Sequence, residues 1–251
     1  MTLDLRLVRA VAFDLDGTLV DSAPDIQHAL NEALKNEGLQ YFDLDQVRGW
    51  IGDGPDMLIA RALAHQGLND AEDELRTRLR RWFDAATLAA PLAGGTVYPG
   101  IVDLVAGLHR LLPMVAVTNK PTPLARAVLD AAGVLPFLDG VHGADAPALR
   151  KPAPAMLLAA SERLGVQPRQ MLMVGDSEPD MRSAQAAGCP AMLVTWGYGH
   201  EKLGGWPDSQ RVASPNTCCR RCARRAPAAN RFATPRRPSC PLAEGPPSRS
   251  S

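Results

Sequence analysis

The sequence has no long apolar segment and no grouped histidines. No run of apolar residues reaches the roughly 20 that a membrane-spanning helix needs. Residues 1–4 lack the basic and apolar regions of a secretory leader. The five histidines are scattered without the spacing of metal ligands. We therefore expect a soluble, cytoplasmic protein that has no membrane partner and no histidine-bound metal.

Charge is distributed unequally along the chain, although its formal net charge is zero. Residues 1–208 carry 18 basic and 26 acidic side chains, a net charge of −8. Residues 209–251 carry nine arginines and one glutamate, a net charge of +8. The second part also holds four of the five cysteines and seven prolines, which predicts a basic, low-complexity, disordered tail.

The tail lacks the patterns of a specific binding module. Cys219 and Cys222 have the spacing of one zinc-ligand pair, but no second pair is suitably spaced. A single aromatic residue, Phe232, lies among the arginines, so only unspecific, salt-sensitive attraction to nucleic acid is expected. We therefore expect no specific nucleic-acid partner.

The most informative segment, residues 13–22, begins with two aspartates behind an apolar stretch. Asp14 and Asp16 are two residues apart, so in an extended chain both side chains point to the same side. Two carboxylates in one pocket repel unless one is protonated or a cation lies between them. The pattern therefore predicts either a proton-transfer pair or a site for a hard metal such as Mg²⁺.

Segment 13–22 resembles the first motif of the haloacid dehalogenase-like hydrolases. Three later segments resemble the following motifs of that family, in the family's order: 114–120, which ends in Thr118, Asn119 and Lys120; 150–154, which contains Lys151; and 171–180, which contains Asp176 and Asp180. The resemblance spans about residues 8–200 and implies a Mg²⁺-dependent phosphatase that forms an aspartyl phosphate.

The resemblance also implies a role for each matching residue. Asp14 is expected to be the nucleophile and Asp16 the acid and then the base. Thr118, Asn119 and Lys151 are expected to bind the transferring phosphoryl group. The implied Mg²⁺ ligands are Asp14, the backbone carbonyl of Asp16, Asp176 and Asp180.

Periodicity predicts an α/β protein. Several helical patterns follow the first strand, with no strand between them. Ser22 with Asp25 resembles a capping box at the start of the first helix. From residue 100 onward, strands and helices alternate, which predicts a doubly wound parallel, Rossmann-like sheet.

The expected domains are a hydrolase core formed by residues 1–21 and 96–208, an inserted helical cap domain over 22–95, and the tail over 209–251. The tail begins where relatives continue with a final strand and helix. The sequence leaves open whether the last strand of the sheet is present.

Substrate choice is expected to depend on the cap. Segment 51–59 resembles a cap loop of the phosphoglycolate phosphatase branch of the family, and its Gly52 and Gly54 amides suit a small carboxylate. Arg61 or Arg48 is a candidate to assist. We expect a small phosphorylated substrate, 2-phosphoglycolate, bound by a monomer or homodimer. A sugar-phosphate or pyrophosphate hydrolase and a β-phosphoglucomutase-like enzyme remain alternatives.

Overall fold

The computed structural model describes residues 4–218, and a six-stranded parallel sheet forms its centre. The strand order is β5-β4-β1-β6-β7-β8. Every described strand pairing in this sheet is parallel. The strands are β1 (Ala10–Phe13), β4 (Met114–Thr118), β5 (Gly140–Gly143), β6 (Met171–Gly175), β7 (Ala191–Val194) and β8 (Arg211–Val212).

Helices cover both faces of the sheet because β1, β4, β6 and β7 are apolar on both sides and fully buried. Residues of α5 (Ile101–His109) and α6 (Thr122–Ala131) pack on one face. Residues of α7 (Ala155–Arg163) and α8 (Glu178–Ala187) pack on the other. This arrangement confirms the predicted doubly wound α/β fold. None of the described helices is both long and apolar enough to cross a membrane.

The helical segment predicted between the first strand and residue 96 consists of four helices. They are α1 (Ala23–Asn36), α2 (Leu44–Arg48), α3 (Pro55–His65) and α4 (Asp73–Ala89). Their buried apolar residues form a cluster with its own centre, which contains Leu30, Leu63 and Leu79. This cap is joined to the sheet domain by a short antiparallel pair, β2 (Val20–Asp21) and β3 (Thr96–Val97). The sequence did not predict this hinge pair, since two-residue strands leave no periodic pattern.

The start of α1 differs from the predicted capping box. The Ser22 side chain makes no capping hydrogen bond. Its hydroxyl donates instead to the carboxylate of Asp16, and Asp25 accepts the backbone N–H of Gly94. Both side chains therefore bond to residues outside α1 rather than to its first turn, so the predicted capping box is wrong.

The sheet domain also continues past the predicted boundary at residue 208. Arg211 and Val212 form β8, which pairs with Leu193 and Val194 of β7. Val212 is buried. This short strand therefore belongs to the core, although only one of its two side chains is apolar. The last strand that the sequence left open is therefore present. Residues 219–251, the remainder of the predicted tail, lie outside the described residues.

Candidate active site

Three of the predicted site residues lie at the carboxyl ends of three adjacent strands. β1 lies between β4 and β6 and is parallel to both. Asp14 directly follows β1, Thr118 ends β4, and Asp176 directly follows β6. Lys151 comes from the loop before α7. Parallel strands end at the same edge of a sheet, so the topology brings the four side chains to one site.

Lys151 is the buried cation of this site. Its ammonium donates hydrogen bonds to Asp14 Oδ1 at 2.7 Å, to Asp180 Oδ1 at 2.6 Å and to the carbonyl of Val117 at 2.9 Å. Only 2% of its side chain is exposed. Three acceptors satisfy the three N–H groups, so the charge is stable in spite of burial.

Burial and neighbouring charges together shift the pKa values of Asp14 and Lys151. Burial raises the pKa of Asp14 well above its usual value, the Asp180 carboxylate raises it further, and Lys151 lowers it. Burial lowers the pKa of Lys151, but Asp14 and Asp180 outweigh that effect, so its pKa lies above the usual value. Lys151 is therefore protonated, and one lysine does not fully offset the surrounding carboxylates.

Asp176 is held by backbone amides. Its Oδ2 accepts the N–H of Tyr198 at 2.7 Å and of Gly199 at 3.0 Å. Burial raises the pKa of Asp176 to about 7, Asp180 adds to the rise, and the Gly199 and Tyr198 amides oppose it. The side chain is therefore fixed in place but only partly ionised near neutral pH.

The residues present fit the implied magnesium ion. One carboxylate oxygen from each of Asp14, Asp176 and Asp180 lies within 4.8 Å of the others. Carboxylate oxygens are the protein ligands that Mg²⁺ prefers, and excess negative charge in a buried cluster favours a divalent cation. Asp180 also accepts the hydroxyl of Ser177 at 2.5 Å, so this carboxylate already holds two neighbours. Its role as a direct ligand stays a prediction.

Asp16 is directed away from this carboxylate cluster. Its Oδ1 accepts the Ser22 hydroxyl at 2.5 Å and the Lys120 ammonium at 3.0 Å. The sequence predicted neither partner as a site residue. Both nevertheless belong to the motif segments 13–22 and 114–120, and that position is the signal by which they could have been found. The two aspartates thus have separate environments in spite of their spacing.

Thr118 and Asn119 differ in their availability to a ligand. The buried Thr118 hydroxyl accepts the N–H of Lys120 at 3.2 Å, which leaves its proton for another acceptor. The Asn119 side chain instead donates to the carbonyls of Gly52 at 2.9 Å and Lys151 at 3.2 Å. Asn119 thus fastens the lysine loop to the cap, and its direct contact with substrate stays a prediction.

The cap loop reaches the catalytic edge through glycines. Gly54 has φ +82°, and a Cβ there would lie 2.7 Å from the carbonyl oxygen of Asn119. Only glycine permits both the conformation and the close approach. Gly52 and Gly54 line a cavity that also reaches Asp14 and Asp16, and its outer wall is apolar. The structure therefore places both predicted glycines beside the site.

The two candidate arginines have different positions. Arg61 forms an ion pair with Asp53 and donates to the carbonyl of Trp50 at 2.6 Å. These contacts hold the cap loop in shape, and Arg61 does not line either described cavity at the site. Arg48 lines a second cavity, together with Asp16 and Asp176. Contact of Arg61 with substrate remains a prediction.

Comparison with known proteins agrees with this geometry. Residues 8–188 match the family model of the haloacid dehalogenase-like hydrolases. The phosphoglycolate phosphatase of Rhodospirillum rubrum is 43% identical over 200 residues, which cover 78% of this chain and 83% of that protein.

Two solved structures share the architecture. A predicted phosphoglycolate phosphatase of Haemophilus somnus aligns with a TM-score of 0.72 and 31% identity over 77% of this chain and 88% of its own. CbbY of Rhodobacter sphaeroides, solved as a variant with xylulose-1,5-bisphosphate, aligns with a TM-score of 0.72 and 25% identity over 83% and 95% of the two chains. The family match, the relatives and the shared fold confirm the resemblance found in the motifs: the chain belongs to the haloacid dehalogenase-like hydrolases and is a phosphatase.

Proposed function

We propose that the chain hydrolyses a small phosphomonoester, with Mg²⁺ as cofactor and an aspartyl phosphate on Asp14 as intermediate. The observation that carries this proposal is the buried contact of Lys151 with Asp14, beside Asp176 and at the end of the central strand. A lysine and a divalent cation together offset the charge of an attacking carboxylate and an incoming phosphate.

Asp14 acts as the nucleophile. One carboxylate oxygen attacks phosphorus as the bond from phosphorus to the ester oxygen breaks, which leaves an acyl phosphate on the protein. The Lys151 contact at 2.7 Å fixes the carboxylate for this attack. Bound Mg²⁺ would neutralise negative charge and align the phosphoryl group with Asp14.

Asp16 transfers the protons. In its acid form it gives a proton to the departing ester oxygen, and as a carboxylate it then takes one from the water that attacks the acyl phosphate. That second attack restores the Asp14 carboxylate and releases phosphate. Asp16 suits this role because its side chain lies outside the carboxylate cluster and lines both cavities at the site.

Thr118 and Lys151 bind the oxygens of the transferring group. The hydroxyl of Thr118 comes from β4, and the ammonium of Lys151 comes from the loop before α7. Charge spreads over these oxygens in the loose transition state, where a cation and a hydroxyl donor lower its free energy most.

The proposed substrate is 2-phosphoglycolate. The relative from R. rubrum carries that activity in its name, and Arg48 offers a guanidinium to the cavity that Asp16 and Asp176 also line. Arginine pairs well with carboxylates through charge-assisted hydrogen bonds. A sugar bisphosphate is the second candidate, since CbbY binds xylulose-1,5-bisphosphate.

Phosphate release from 2-phosphoglycolate, xylulose-1,5-bisphosphate, pyrophosphate and ethyl phosphate distinguishes the candidates. Ethyl phosphate is the matched control, because a methyl group replaces the carboxylate. We expect the highest kcat/KM with 2-phosphoglycolate. Arg48→Met should raise KM for that substrate by a factor of about ten or more and leave ethyl phosphate unchanged. Equal effects on both substrates would contradict recognition of the carboxylate by Arg48.

A further inference from the structure

Tyr198 connects the Asp176 carboxylate to the hinge of the cap. Its backbone N–H donates to Asp176 Oδ2 at 2.7 Å, and its hydroxyl donates to Asp21 Oδ1, also at 2.7 Å. The same hydroxyl accepts the backbone N–H of Ala23 at 3.1 Å. Asp21 ends β2, and Ala23 begins α1. Tyr198 therefore connects the carboxylate cluster that contains Asp176 to β2, the strand by which the chain enters the cap.

The chain returns from the cap through β3, which ends beside the loop that carries Tyr198. Tyr98 directly follows β3, and its ring packs edge-on against that of Trp196, with 6.4 Å between the ring centroids. The backbone N–H of Tyr98 also donates to the carbonyl of Leu19 at 3.2 Å, just before β2. Both connections between the cap and the sheet domain thus contact the loop of residues 196–198.

The loop that carries Tyr198 fits tightly against the catalytic turn. A Cβ at Gly197 would lie 2.2 Å from the carbonyl oxygen of Gly17 and 2.5 Å from Asp176. The indole N–H of Trp196 donates to the carbonyl of Thr18 at 3.0 Å. With so little free space, a shift of Asp176 displaces the backbone of Tyr198 rather than being absorbed in the loop.

We propose that Tyr198 is a positioning residue that transmits the position of the Asp176 carboxylate to the cap hinge. A cation that draws Asp176 toward Asp14 would move the Tyr198 backbone, and the hydroxyl would carry that movement to Asp21. Cap position would then depend on whether the metal is bound. This inference rests on the proposed Mg²⁺ site.

Hydrogen exchange of the full-length protein, with and without Mg²⁺, tests the coupling. In the wild type, we expect Mg²⁺ to slow exchange both in the site segment 171–177 and in the hinge segments 18–24 and 94–98. Tyr198→Phe keeps the ring and the backbone N–H but removes the hydroxyl. It should retain the response at 171–177, while the hinge response falls by a factor of about five, as expected from one lost hydrogen bond.

Tyr41→Phe is the matched control, since Tyr41 is exposed on the cap, and it should behave as the wild type. A hinge response that is equal in Tyr198→Phe and wild type would overturn the coupling. A merely structural role for the hydroxyl would speed hinge exchange equally with and without Mg²⁺, and that result would also overturn it.

Two further results separate this inference from the proposed metal site. If Mg²⁺ slows exchange nowhere in the wild type, the metal site and the coupling both fail. If Mg²⁺ slows exchange at 171–177 but not at the hinge, the coupling alone fails. Should Tyr198→Phe not fold, Asp21→Ala removes the other end of the same hydrogen bond and should weaken the hinge response likewise.

Discussion

At the scale of single residues, Asp14 and Asp16 show how neighbours separate two identical side chains. Asp14 contacts Lys151 and lies beside Asp176 and Asp180. Asp16 contacts Ser22 and Lys120. The spacing of the two aspartates predicted a shared pocket but left a metal site and a proton-transfer pair as alternatives. The structure separates the two side chains, since of the two only Asp14 lies in the carboxylate cluster with Asp176 and Asp180.

The pKa of Asp176 predicts how magnesium binding depends on pH. Its folded-state pKa is raised to about 7, and a protonated carboxyl group is a poor ligand for a cation. Ionisation of Asp176 should therefore make Mg²⁺ affinity rise with pH below pH 7, by up to about tenfold per unit. Calorimetric titration across this range measures the effect. A constant affinity between about pH 5 and pH 7 would contradict the assigned role of Asp176.

The raised pKa of Asp176 also determines how the stability of the metal-free protein changes with pH. A raised carboxyl pKa means that the native state keeps a proton that the unfolded state has released. The Asp176 contribution is therefore fully present below the ordinary pKa of an aspartate. It is lost as pH rises through about 7. Added Mg²⁺ should offset that loss by binding the ionised form.

At the scale of elements, the two ends of α3 offer a matched pair of glycines, one before the helix and one after it. Gly54 and Gly67 both have positive φ, but only Gly54 faces a neighbouring backbone, at 2.7 Å from Asn119 O, whereas a Cβ at Gly67 would meet open space. Alanine at Gly67 should cost about 1–2 kcal/mol of stability with no change in KM. Alanine at Gly54 should in addition raise KM roughly tenfold, because the cap loop cannot approach Asn119. Equal KM values for the two variants in a steady-state assay would contradict this role of the loop.

The sequence predicted the strands and helices that have a strong periodic pattern. Strand β1, strand β4 up to Thr118 and strand β6 are apolar because both faces of the sheet are covered. The hinge pair β2 and β3 could not be predicted, since each strand has two residues and its partner is distant in sequence. Similarly, β8 has one buried residue, Val212, in a composition typical of a disordered tail.

The sequence predicted those residues of the candidate site that each belong to a recognisable motif. The motifs identified Asp14, Thr118, Lys151 and Asp176, and the sheet topology brings them together. Contacts between distant segments leave no local pattern, so the sequence could not predict that Asp25 accepts the N–H of Gly94 instead of joining Ser22 in a helix cap. For the same reason, the sequence could not choose between Arg48, which lines a cavity at the site, and Arg61, which pairs with Asp53.

At the scale of the whole molecule, the position of β8 predicts where the chain can be shortened. Val212 and Cys218 are both buried against the sheet domain. A chain that ends at residue 210 should lose about 2–4 kcal/mol of unfolding free energy relative to one that ends at residue 218, from the apolar surface no longer buried. Exposure of the β7 edge should also promote aggregation. Urea denaturation of the two shortened chains measures the difference, and equal midpoints would show that β8 does not support the fold.

The proposed chemical step is the attack of Asp14 on phosphorus, and the central strand presents Asp14 to a pocket that is lined by Thr118 and by the cap residues Gly54 and Leu58. Acid quenching of the enzyme during turnover of 2-phosphoglycolate with Mg²⁺, followed by peptide mapping, tests this step most directly. We predict a base-labile phosphoryl group on the peptide that contains Asp14, and neither phosphopeptide nor phosphate release in Asp14→Asn. Phosphate release by Asp14→Asn at the wild-type rate, or a phosphoryl group on another residue, would contradict the account.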